Sequence, residues 1–122
     1  MAAIKHPRKR SPKNIPSAYG RFGAEHSQVL DRYEALGKAC ADAGPLEAKT
    51  IALCKLAISM GAGLEGAAHS HCRKALEAGW KSDELMHLAI LGTLTLGFPT
   101  MMRNRGWVED VVAGSGKKNK RT

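Results

Sequence analysis

The run Leu46–Met60 places Ile51, Ala52, Leu53, Cys54, Leu56, Ala57 and Ile58 within eight consecutive positions. A helix through it is apolar nearly all round. Such a helix has to be covered on most sides, either by its own domain or by another subunit. Gly44 and Pro45 stop whatever precedes it, and Gly61 and Gly63 break it at the far end.

The neighbouring segments read the same way. Ser17–Ala43 is expected as helix in two pieces, with Val29, Tyr33, Leu36 and Cys40 recurring at spacings of four, three and four. A further helix starts near Leu64 and is closed by Gly79. Ser82 is placed to cap the next, with Asp83 and Glu84 in the first turn, where the helix dipole favours acids. Leu85, Leu88, Ala89, Leu91 and Leu96 make that helix strongly apolar. After the Gly97, Phe98, Pro99 joint, a last helix over roughly Thr100–Ala113 buries Met101, Trp107, Val108 and Val111, with Gly106 as a kink or close-packing point. No strand competes with these readings. The expected fold class is all-α, with about five to six helices. Several nearly all-apolar helices in a chain of 122 residues point to a helix-packed homo-oligomer.

Charge divides the chain more sharply than hydropathy does. The formal net charge is +8, yet residues 1–14 hold Lys5, Arg8, Lys9, Arg10 and Lys13 with no acid, and residues 117–122 hold Lys117, Lys118, Lys120 and Arg121 with none. Without those nine, ten basic residues face eleven acidic ones, so the body is close to neutral. We therefore expect a flexible basic arm at 1–14, one helical domain at 15–116 and a basic tail at 117–122. No basic helix face or aromatic platform accompanies the arms, so nucleic acid is not an expected partner. No run approaches the roughly 18 apolar residues of a membrane span, and the N-terminus has no apolar signal core. Membrane partners are not expected either. Three cysteines without a spaced framework suit a reducing compartment, and the cytoplasm is the expected location.

Chemistry concentrates in Gly61–Gly79, GAGLEGAAHSHCRKALEAG. On a helix Glu65, His69 and Cys72 stand at i, i+4 and i+7 and share a face. His71 lies two residues from His69, roughly 200° around the helix, so the two imidazoles do not act on one atom. His71 is a candidate acid/base group, since imidazole changes charge near neutral pH. His69 is a second acid/base candidate or an outward-facing polar residue. Cys72 is either a small core residue or a thiol that a protonated His69 would activate, with Cys54 on the preceding helix as the nearest possible partner. Glu65 is a dipole-stabilised carboxylate or a general base. A metal site from His69, Cys72 and a third ligand lacks paired CxxC or HxxxH spacing, so no metal and no cofactor are expected. His6, His26 and His87 read as ordinary polar residues. Gly61, Ala62 and Gly63 lack the lysine and preceding strand of a phosphate loop.

From Glu47 to Val112, and most clearly in EAKTIALCKLAISMGAGLEGAAHSHCRKALEAGWKSDEL, LGFPTMM and WVEDV, the chain resembles the carboxymuconolactone decarboxylase family, which includes the alkyl-hydroperoxidase D-like proteins. The resemblance implies an all-helical fold, assembly as a trimer or hexamer, and an active site where the His-bearing helix begins, close to a subunit interface. The redox branch carries a CxxC pair, a histidine four residues on and a glutamate twelve residues before. The matching positions here are Leu64, Ala67, His71 and Ala52, so only the histidine is kept. A dithiol mechanism needs both thiols.

Three functions follow from this resemblance. One is decarboxylase-like proton transfer by His71 on a small carboxylated or lactone-like substrate, with Arg73 or Arg103 to hold the carboxylate. The second is a peroxiredoxin-like or alkyl-hydroperoxidase-like antioxidant activity through Cys72. The third is a catalytically silent oligomeric scaffold or binding module.

Overall fold

The computed structural model describes the backbone of residues 17–121 and the side chains of residues 18–114. The expected basic arm at 1–14 and the side chains of the basic tail lie outside the described residues. The described chain is all-α, without a strand: α1 (Ser17–Glu25), α2 (Ser27–Asp42), α3 (Ala48–Ala62), α4 (Glu65–Glu77), α5 (Ser82–Leu91), α6 (Thr93–Leu96) and α7 (Phe98–Arg121). It divides into two compact units, Met1–Pro45 and Leu46–Thr122.

In the first unit, α1 and α2 pack as a pair. Tyr19 Oη donates to Glu34 Oε2 at 2.9 Å. Gly23 approaches so closely that a Cβ there would stand 2.8 Å from Leu30 Cδ2. Between the helices His26 leaves helical geometry at φ −135°, ψ 59°. The expected stripe of Val29, Tyr33, Leu36 and Cys40 is exposed. The α1 contact instead uses Leu30 and Glu34, one residue on from Val29 and Tyr33 and so about 100° around the helix.

The second unit holds a core drawn from four helices: Leu56 and Met60 of α3, Ala68, Cys72 and Ala75 of α4, Leu85 and Ala89 of α5, and Val108 and Val111 of α7. Small residues at 68, 72, 75 and 89 let the helix backbones approach closely, which is how a chain with so few aromatics fills its interior. Gly63 (φ +73°) closes α3, with its own N–H on Met60 O at 3.1 Å and the Leu64 N–H on Ser59 O at 3.0 Å. This paired closure requires a left-handed residue and sets the direction in which α4 leaves. Gly79 (φ +108°) ends α4 by the same pairing, with Trp80 N on Ala75 O at 3.0 Å. Beyond it Trp80 Nε1 donates to Lys49 O at 2.7 Å, fastening this turn to the start of α3.

Several local expectations are corrected. The residue preceding α5 is Lys81, not Ser82; its N–H donates to Glu84 Oε1 at 2.8 Å, and Ser82 is already helical. α7 begins at Phe98, takes Pro99 as its second residue and continues past Ala113 to Arg121. Gly106 is not a close-packing point, because nothing stands within 4 Å of where its Cβ would be. Of the two covers expected for α3, its own domain supplies one side only, through Leu56, Ser59 and Met60, while Cys54 and Ala57 face outward in the single chain and Ile58 is 68% exposed. Leu94 and Phe98 are likewise uncovered. Among the described residues no helix is long and apolar enough to cross a membrane.

Candidate functional site

α4 lies between α3 and α7, and its two histidines serve different neighbours. On the α7 side, His69 Nε2 stands 3.0 Å from Asp110 Oδ2. With the proton on Nε2 the imidazole donates to the carboxylate and keeps Nδ1 as an acceptor. The edge of the ring meets Trp107, the centroids 6.4 Å apart. Trp107 in turn carries the Arg103 guanidinium over its face at 4.5 Å. Arg103 Nη2 donates to Met60 O at 3.2 Å and to Asn104 Oδ1 at 3.0 Å, and Nε donates to the same Oδ1 at 3.2 Å. Asn104 is only 1% exposed, so its amide oxygen is satisfied from the rim of the core.

The pattern is a match of two helical repeats. Glu65, His69 and Cys72 occupy i, i+4 and i+7 of α4, and Arg103, Trp107 and Asp110 occupy the same spacing on α7. One ligating atom from each of Glu65, His69 and Asp110 lies within 4.8 Å of the others. Sequence reasoning placed Glu65 and His69 together but missed Asp110 and Trp107, which a different helix brings to them. It also left His69 open as an outward-facing residue, whereas the ring is partly buried against α7.

His71 belongs to the other side of α4. Its Nδ1 is buried and has no hydrogen-bond partner. Burial, then the positive charges of Lys74 on α4 and Lys55 on α3, hold its pKa below the usual value of 6.5. Both lysines are neighbours of His71 that sequence reasoning did not name.

Cys72 joins neither group. It is 1% exposed, and burial raises the thiol from 9.0 to about 11 against a smaller opposite effect of Arg73. Cys72 is a core residue. Cys40 and Cys54 are exposed, and all three thiols are free. Arg73, one of two candidates for holding a carboxylate, is marked here by that charge effect on Cys72, whereas Arg103 sits on Trp107. His87 is exposed on α5.

The profile of the carboxymuconolactone decarboxylase family matches residues 27–110. The chain belongs to the carboxymuconolactone decarboxylase family. That match runs from the start of α2 into α7 and contains Glu65, His69, His71, Cys72, Arg103 and Asp110. An uncharacterized protein of Haemophilus influenzae is 30% identical over 67 residues, which cover 55% of this chain and 59% of that one. The aligned stretch thus spans little more than half of either protein. No solved structure matches the chain. Within the family frame, Leu64 is the extended residue that opens α4 at φ −100°, ψ 96°. The helix N-terminus that lowers a thiol's pKa therefore bears no thiol in this member.

Proposed function

We propose that this family member is an enzyme that transfers a proton at carbon on a small carboxylated or lactone-like substrate, with His71 as the acid/base group. The observation that carries the reading is the unpartnered, buried Nδ1 of His71, at the one chemical position kept from the family pattern. A buried polar nitrogen without a partner is costly unless it has a task. The charges of Lys55 and Lys74 act on the same ring and would attract a substrate carboxylate, the role first sought in an arginine.

In a decarboxylation on this site the C–C bond to the carboxylate breaks, carbon dioxide leaves, and the electron pair spreads onto a conjugated carbonyl. His71, protonated once the negative charge of the bound substrate offsets Lys55 and Lys74, delivers its proton to the carbon that lost the carboxylate and takes another from water, which leaves as hydroxide. Cys72 has no part in the reaction, since a protonated core thiol is not a nucleophile. The uncovered side chains of Ile58, Leu94 and Phe98 would be covered by further copies of the chain, in a trimer or hexamer as in other family members.

The test is turnover of a panel of carboxylated lactones by wild type, His71→Gln and His71→Ala, followed by carbon dioxide release and by deuterium incorporation from heavy water. Loss of acid/base catalysis costs roughly 10²–10⁴-fold in rate. Variants as fast as wild type, or a wild type inert on the whole panel, would remove the proposal.

A further inference from the structure

The face of α4 turned towards α7 is not used by that reaction. It brings together three donors that no local motif announces: a carboxylate and an imidazole one helical turn apart at Glu65 and His69, and a second carboxylate at Asp110, 41 residues on from His69. We infer that Glu65, His69 and Asp110 form a binding site for a divalent metal ion of the manganese or zinc type.

The geometry supports this in three ways. Donors bound to one ion at about 2.0–2.2 Å stand no more than about 4.4 Å apart, and neighbouring ones near 3 Å. His69 Nε2 and Asp110 Oδ2 already stand at 3.0 Å, and the whole set lies within 4.8 Å, so a movement of about 1–2 Å in an exposed carboxylate, within reach of a side-chain rotation, closes it. Both carboxylates come close to one another beside a single imidazole, an arrangement that a cation relieves. The ring packs against Trp107 and is partly buried, so the nitrogen donor has less room to move than the two exposed oxygen donors.

The donor set also limits the ion. One imidazole with two carboxylates suits manganese or zinc, whereas calcium prefers an all-oxygen shell. Three protein donors leave positions open for water or for an anionic ligand. The sequence expectation of no metal rested on spacing within α4, and that spacing cannot reveal a donor supplied by α7. The inference does not depend on His71.

The test uses the untagged full-length chain and manganese(II) chloride alone, a probe that discriminates against the exposed thiols of Cys40 and Cys54. Binding is read from the loss of the free-ion electron paramagnetic resonance signal, and its place from the proton spectrum. We expect one ion per chain, and at substoichiometric manganese a stronger broadening of the Trp107 indole resonance than of the Trp80 indole. Losing a supporting residue around a metal costs ~10–100-fold in affinity, so Glu65→Gln, Asp110→Asn and His69→Gln should each weaken binding by at least about tenfold. All three should keep the wild-type circular dichroism, while His71→Gln should bind as wild type. No binding at millimolar manganese and none of zinc in the Cys40→Ser, Cys54→Ser background, or equal affinity in the three variants, would overturn the inference.

Discussion

His69 and Asp110 meet at 3.0 Å across the α4–α7 contact, and the imidazole is 25% exposed where the carboxylate is 61% exposed. The carboxylate end of the pair is therefore screened by solvent. Asp110→Ala should lower unfolding free energy by less than ~1 kcal/mol in urea denaturation, the range of exposed ion pairs. A larger loss would mean that Asp110 holds the two helices together as a structural clasp.

Cys72 gives a pH prediction with a definite sign. Its thiol titrates near 11 in the folded chain against an ordinary value of 9.0. Between those values the unfolded chain releases the proton and the folded chain keeps it, so stability is full below pH 9 and falls as the pH rises towards 11. The loss from this group is about 2–3 kcal/mol at completion. Denaturation midpoints of Cys72→Ala should lack this part of the alkaline slope, although the smaller side chain lowers stability at every pH. A thiol reagent at pH 8 should label Cys40 in the native protein and Cys72 only after unfolding.

The uncovered apolar side chains predict assembly. Leu94 is 98% exposed and Ile58 68% exposed, on a unit whose core is otherwise closed. Light scattering on the full-length chain should give a mass of three or six copies, and Ile58→Glu or Leu94→Glu should shift it towards the monomer. A monodisperse monomer at high protein concentration would leave these residues without the subunit role assigned to them.

The helices were legible because their punctuation is local. Gly63 and Gly79 need only their own φ angles to stop α3 and α4, and Asp83 and Glu84 mark the start of α5. The face each helix buries was harder to read. On α2 the apolar stripe through Val29 and Tyr33 competes with the Leu30 and Glu34 face, and Gly23 decides the matter by admitting Leu30. The site was half legible for a related reason. Glu65, His69, His71 and Cys72 are close in sequence, but their partners Asp110, Trp107 and Lys55 come from other helices. Burial, which turns Cys72 from candidate nucleophile into core, is a property of the packed unit and not of the motif.

The two histidines of α4 are separated by a single serine yet report to different sides of the helix. α4 is thus a partition, with its backbone and the core residues Ala68, Cys72 and Ala75 forming the wall. In the roles proposed for them, chemistry on one side is insulated from chemistry on the other, so lesions at His69 and His71 should combine independently. A lineage could discard the function of one side and keep that of the other without rebuilding the helix.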